Sequence, residues 1–107
     1  PPAPLGMNET LLLASSAVGS SEIAATVMGI GKTATSATLT FRYGTTPDCA
    51  DGAVTVADIT DAGIWSATIP HLAAGKTYYV KATLSNGIDM PAESAVFDFI
   101  SVPLSIQ

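Results

Sequence analysis

Apolar and polar residues alternate in short runs along most of the chain, which is the pattern of β-strands that bury one face. The clearest run is 37–43, where Leu39, Phe41 and Tyr43 alternate with threonines and Arg42. Turn-forming residues separate the runs at short intervals, and no long segment has the helical period. Seven strands are therefore predicted, at about residues 10–15, 21–28, 37–43, 53–57, 63–69, 77–85 and 94–100, with 29–36 read as a loop.

The side chains on the inward faces of these strands predict one core between two sheets, with Trp65 as its bulkiest member. The predicted inward set is Ile23, Ala25, Val27, Leu39, Phe41, Tyr43, Trp65, Ala67, Ile69, Tyr78, Val80, Ala82, Leu84, Ala95, Phe97 and Phe99. A length of 107 residues suits a single domain. We assign 1–8 to a Pro-rich linker, 9–101 to the domain, and 102–107 to a tail or linker.

The charge composition excludes one class of partner. Only 12% of the residues are charged, and the formal net charge is −5. The four basic residues are widely spaced, so the sequence has no basic patch for phosphate groups and nucleic acid is not expected as a partner. No apolar run is long enough to cross a membrane, so membrane insertion is not expected either.

The stretch "HLAAGKTYYV" (71–80) carries the most specific signal in the chain. Leu72 ends one predicted strand, Gly75 permits a turn, and Tyr78 begins the next strand. A tyrosine at this position can bury its ring and bond its hydroxyl to the backbone near residues 72–75, as in the tyrosine corner of Greek-key sandwiches.

This pattern resembles that of fibronectin type III domains. Two further stretches match the family in the same order, "FRYGTTPD" (41–48) and "LSNGIDMPAESAVFDF" (84–99), so that the resemblance covers about residues 10–100. The chain departs from the family at Ala74, where a proline is usual, and in the absence of a tryptophan from 21–28. The resemblance implies an all-β, seven-stranded Greek-key β-sandwich of fibronectin type III or immunoglobulin-like type.

The resemblance also implies a use. Bacterial members are typically non-catalytic spacer or protein-interaction modules of larger exported or cell-surface proteins, so we expect an extracellular or cell-surface location. The expected partners are the neighbouring domains of the same polypeptide, with a protein or a glycan as further candidates, and the isolated domain is expected to be a monomer. The alternative is a ligand-binding module, an adhesin or carbohydrate-binding domain. Such a module would use the face of the strands at 37–43, 77–85 and 94–100, or the loops at 29–36 and 86–93.

Reactive side chains are few, and no catalytic residue, cofactor or metal site is predicted. His71 is the only histidine and is expected to be a solvated or hydrogen-bonded turn residue. Cys49 lies among carboxylates that should raise its pKa, so we expect an unreactive thiol. Four carboxylates lie close together in 48–61, and a solvated acidic edge is favoured over a calcium site there. They are Asp48, Asp51, Asp58 and Asp61.

Two sets of residues are candidates for an interaction surface. Tyr79 should point outward beside Lys81 and near Arg42, where tyrosine with cationic neighbours is typical of binding patches. A cross-strand pair that covers the sheet is the simpler interpretation. Met90 is the large apolar residue that the predicted loops offer as an anchor.

Overall fold

The computed structural model describes residues 5–105, which form an all-β structure without a helix in that range. There is accordingly no helix among these residues that could cross a membrane. The strands are β1 (Leu5–Ala17), β2 (Glu22–Thr33), β3 (Ala37–Gly44), β4 (Gly52–Ile59), β5 (Gly63–Ala73), β6 (Thr77–Ser85), β7 (Ala92–Glu93), β8 (Phe97–Ile100) and β9 (Leu104–Ser105).

The strands form two antiparallel sheets. One has the order β5-β2-β1-β9, and the other has the order β4-β3-β6-β7, with β8 also paired to β6. Both sheets contribute buried side chains to one core, for example Val27 and Ile69 from the first sheet and Phe41 and Val80 from the second. The predicted all-β fold of two packed antiparallel sheets is confirmed.

The period-two patterns place the core correctly in the central strands. Leu39 and Phe41 in β3 are fully buried, and so are Val80, Ala82 and Leu84 in β6. These strands are predictable from the sequence because each has one face in the core and one toward solvent, so their apolar residues alternate without interruption.

Strand β2 continues through residues 29–33, which the sequence analysis assigned to a loop. Gly29 and Gly31 face the core rather than forming a turn. A Cβ atom at Gly31 would lie 2.5 Å from the Gly6 carbonyl oxygen and 2.9 Å from Met7 Sδ. Gly31 is therefore required for close packing, and the assignment of 29–33 to a loop was wrong.

Strand β1 begins at Leu5, so residues 5–8 belong to a sheet and not to a linker. Leu5 pairs with Thr33 of β2 and is buried. Residues 1–4 of the predicted linker lie outside the described residues. At the other end, Leu104 and Ser105 of the predicted tail pair with β1.

Trp65 is only half-buried and packs against the buried cluster, so the prediction that it is the bulkiest member of the core was wrong. Its ring lies 3.3 Å from the position of a Cβ on Gly31. The largest fully buried side chain is that of Phe41.

The last predicted strand is broken in two. β7 and β8 pair with β6 in registers that differ by one residue, and the break lies at 94–96. Ser94 bridges the break because its amide donates to the Ala82 carbonyl at 2.9 Å and its Oγ accepts from the Ala82 amide at 2.9 Å. Ala95 was predicted to face inward but is exposed in this break.

Candidate functional site

The turn between β5 and β6 is fixed by Tyr78. Its ring is buried, and its hydroxyl accepts a hydrogen bond from the Ala73 amide at 2.8 Å, within the predicted stretch 72–75. Leu72 is buried beside it, and Gly75 adopts a φ of 78° that disfavours other residues. The Tyr78 hydroxyl thus ties β6 of one sheet to the end of β5 in the other.

Ser101 completes this turn, and no pattern in the sequence predicts it. The side chain is fully buried, accepts from the Lys76 amide at 3.0 Å and donates to the Ala73 carbonyl. Its backbone carbonyl accepts from the Gly75 amide at 2.8 Å. Ser101 lies 25 residues from Lys76 in the sequence, so its hydrogen bonds to this turn become evident only in the folded structure.

His71 lies in strand β5 and not in a turn. It occupies a bulge opposite β2 with a φ of 60°, and this backbone kink turns its side chain to the surface. Nδ1 lies 3.3 Å from Glu22 Oε1 in an exposed pair. The predicted hydrogen-bonded surface role agrees with this contact.

Cys49 is buried in the 45–51 loop, and burial raises the pKa of its thiol from the ordinary value of 9.0. The neighbouring Asp48 carboxylate raises the pKa further, while Lys81 lowers it. Burial is thus a larger cause of the raised pKa than the predicted effect of the carboxylates.

The acidic residues of 48–61 do not converge. Asp51 accepts from the Thr45 amide at 3.1 Å, Asp61 accepts from the Ala62 amide at 2.8 Å, and Asp48 accepts from the Thr46 hydroxyl. In residues 5–105 no group of three or more histidine, cysteine or acidic side chains is placed to hold a metal ion. Several of these carboxylates shape local turns instead.

The predicted sheet-face residues share one surface, and Met90 is not part of it. Arg42 lies directly opposite Lys81 on the outer face, with half-buried Tyr79 two residues along β6. Lys81 forms an ion pair with Glu93. Charge on this face is therefore partly neutralised within the domain.

Three loops meet at one end of the structure, which we call the loop end: 34–36, 60–62 and 86–91. The loops are close together because the strand ends next to them are paired: Ala37 pairs with Ile59, and Thr38 pairs with Ser85. Met90 lies at the loop end. It is more than four residues along the sheet from Lys81, and at the rise of a strand this separation is on the order of 15 Å.

A polar groove of about 320 Å³ opens at the loop end. Its lining includes the hydroxyl residues Thr38, Thr40 and Ser85, the amide of Asn86 and the exposed carboxylate of Asp58. Asp58 has a φ of 60° in a bulge of β4, and bulges of this kind redirect a side chain. Asp58 was predicted as one carboxylate of an acidic edge, and the groove was not predicted.

The loop 86–91 is held in shape by the side chain of Asn86. Its Oδ1 accepts from the amides of Ile88 at 2.9 Å and Asp89 at 2.8 Å. Its Nδ2 donates to Asp89 Oδ2 at 2.7 Å and to Thr35 Oγ1 at 2.9 Å. The second contact ties this loop to the loop 34–36.

The loop 86–91 exposes two large apolar side chains to solvent. Ile88 is 87% exposed and Met90 is 88% exposed, the two highest values among the large apolar residues of the described chain. Met90 was predicted as an anchor, whereas Ile88 was missed because a single isoleucine in a polar loop has no periodic signal. Two large apolar side chains on one loop make this loop a candidate contact surface.

The outer face of the β5-β2-β1 sheet carries a further apolar row. Ile64 lies opposite Ile30, and Met28 lies opposite Leu11. Ile64 is exposed, but the other three are half-buried. Contacts between side chains on neighbouring strands account for this row, and no binding partner is needed to explain it.

No family model, curated protein or solved structure matches the chain.

Proposed function

We propose that the chain is a fibronectin type III-like, non-catalytic module of a larger exported or cell-surface bacterial protein, and that it contacts a protein partner through the loop end. The fibronectin type III-like assignment is supported by the grouping of β1, β2 and β5 against β4, β3, β6 and the broken strand β7–β8. It is also supported by the Tyr78 hydroxyl bond where the chain crosses between the sheets.

The observation that carries the interaction role is the exposure of Ile88 and Met90 on a loop that Asn86 holds in place. An ordered loop loses little conformational entropy when a partner binds, so apolar contacts there contribute more to affinity. The sheet face around Arg42 and Lys81 is a weaker candidate because Glu93 already pairs with Lys81.

A photo-crosslinking experiment tests this role. A benzophenone amino acid replaces Ile88 in one variant and Val18 in the other, since Val18 is also exposed and lies in the turn before β2, at the opposite end. Each variant is irradiated with the secreted and cell-envelope fractions of the source organism. The proposal expects a discrete protein adduct from position 88 only, which excess wild-type domain suppresses and the Met90→Ser domain suppresses less well. Equal adducts from both positions, or none from position 88, would contradict it and leave a spacer role.

A glycan is the second candidate ligand, and the groove is the observation that favours it. Hydroxyl, amide and carboxylate groups line it without a lysine or arginine, and such groups can donate to and accept from sugar hydroxyls. Binding on a glycan array that Asp58→Asn or Thr40→Val abolishes, and Arg42→Ala leaves unchanged, would establish this function. Binding that only Arg42→Ala or Tyr79→Ala abolishes would place recognition on the sheet face.

A further inference from the structure

The dipeptide Asn86–Gly87 lies in the loop 86–91, where several polar groups surround the Asn86 side-chain amide. The Oδ1 atom accepts two backbone N–H groups, from Ile88 and Asp89. The Asp89 carboxylate accepts from Nδ2 at 2.7 Å. The Gly87 amide donates to Ser85 Oγ at 3.3 Å, a long bond that holds this N–H only weakly.

We infer that Asn86–Gly87 is a site of self-modification, at which Asn86 converts to aspartate or isoaspartate through a cyclic imide. The Gly87 nitrogen forms a bond to Asn86 Cγ, the Cγ–Nδ2 bond breaks, and the proton of the Gly87 amide leaves with Nδ2 as ammonia. Water then opens the imide at either carbonyl. The net change replaces an NH₂ group by an OH group, and nothing is oxidised or reduced.

The surrounding groups match the charges that develop in this reaction. Negative charge accumulates on Oδ1 in the tetrahedral intermediate, and the Ile88 and Asp89 amides already donate to that atom. Ser85 Oγ accepts a hydrogen bond from the attacking Gly87 nitrogen, and the Asp89 carboxylate accepts one from the leaving nitrogen. Asp89 can therefore act as a base that takes up a proton and returns it to Nδ2 as ammonia leaves.

Space at Gly87 also favours ring closure. The residue has a φ of 79°, and apart from its two chain neighbours no atom lies within 4 Å of the position of an added Cβ. Glycine has no side chain of its own to crowd its nitrogen, and water can reach this open surface. The other asparagine, Asn8, is followed by Glu9 in strand β1, so it lacks both the glycine and the held loop.

The modification would loosen the loop end. An aspartate at position 86 keeps acceptor oxygens for the Ile88 and Asp89 amides but loses the donor to Thr35 Oγ1. It also places a second carboxylate where Nδ2 now contacts Asp89, and like charges at that separation repel. The modification stands independently of the proposed function, and only its effect on partner binding depends on that function.

The test follows the mass of the peptide that contains Asn86 while the folded protein is kept at mildly alkaline pH, with urea-unfolded protein as the comparison. The inference expects a gain of one mass unit and isoaspartate at Asn86, with Asn8 unchanged, at a rate in the folded protein at least equal to that in the unfolded chain. A rate tenfold lower in the folded protein, or no gain at all, would show that the hydrogen bonds protect Asn86 and would overturn the inference.

Two variants separate the roles of the neighbouring groups. Asp89→Asn removes the carboxyl group at the leaving nitrogen and should slow the reaction several-fold in the folded protein but not in urea. Ser66→Ala, in the exposed part of β5, is the matched control and should leave both rates unchanged. An unchanged folded-state rate in Asp89→Asn would remove Asp89 from the reaction. The Asn86→Asp variant, compared with wild type in the crosslinking experiment, reports separately on partner binding.

Discussion

The hydroxyl of Tyr78 accepts a hydrogen bond from the amide of Ala73 across the turn that carries the chain from one sheet to the other. The bond is 2.8 Å long and the tyrosine ring is buried, so its loss leaves a backbone donor without a partner near the core. Tyr78→Phe should lower the free energy of unfolding by about 1–2 kcal/mol. Urea denaturation measures the change, with Tyr79→Phe on the outer face as the control. Equal losses in both variants would contradict the structural role of this bond.

Removal of the Ser101 hydroxyl should destabilise the same turn. Ser101→Ala leaves the Lys76 amide without its 3.0 Å acceptor in a buried site and should cost about 1–3 kcal/mol. Ser66→Ala, at an exposed position of β5, should change stability by less than about 0.5 kcal/mol. A thermal or urea melt of both variants compares them, and a neutral Ser101→Ala would show that water replaces the hydroxyl.

A matched pair of glycine substitutions tests the packing of β1 against β2. Gly31→Ala forces a methyl group to within 2.5 Å of the Gly6 carbonyl oxygen and should cost about 1–3 kcal/mol. Gly63→Ala places its methyl group 3.8 Å from the Trp65 ring, an ordinary contact, and should be neutral or slightly stabilising. If the two variants have the same stability, β1 does not pack on Gly31 as described.

The thiol of Cys49 should be protected in the folded protein. Its pKa lies above 9.0 because of burial and the Asp48 carboxylate, so the thiolate forms less readily than in the unfolded chain. Labelling with a disulfide reagent at neutral pH should be at least tenfold slower in the native protein than in urea. Equal labelling rates would mean that the 45–51 loop opens freely.

The raised pKa of Cys49 also predicts how the free energy of unfolding depends on pH. A raised pKa in the folded state means that the contribution of Cys49 to stability is present below the unfolded pKa, near 9.0, and is lost as the pH rises through the higher folded pKa. The unfolding free energy should therefore fall over that alkaline range. Cys49→Ala should lack this part of the decline, and an identical pH profile in the variant would contradict the assignment.

The sequence was sufficient where a residue's surroundings follow from its own strand. Phe41 and Val80 were placed in the core because alternation along β3 and β6 is unbroken. Gly31 was misread, since its need for space arises from Gly6 and Met7 on another strand. The break after β7 was also missed. There the side-chain oxygen of Ser94, and not a backbone carbonyl, accepts the hydrogen bond of the Ala82 amide.

The loop end was predictable only in part. Met90 was recognised as a large apolar residue in a loop, but its extreme exposure depends on how Asn86 holds the loop. The groove needs Asp58, which a bulge turns toward Thr38 and Thr40. Neither the bulge nor the contact between Thr35 and Asn86 has a signature in a single sequence, because each depends on residues from separate strands or loops.

The position of Trp65 makes the protein's single tryptophan a local optical reporter. The ring rests beside Gly31 at the margin of the core, next to the place where Gly6 and Met7 of β1 cover β2. Detachment of the first residues of β1 would bring water to the indole while Phe41 and its neighbours stay packed. A red shift of the emission that precedes the loss of β-sheet circular dichroism would then time the release of β1, and separate it from unfolding of the whole domain.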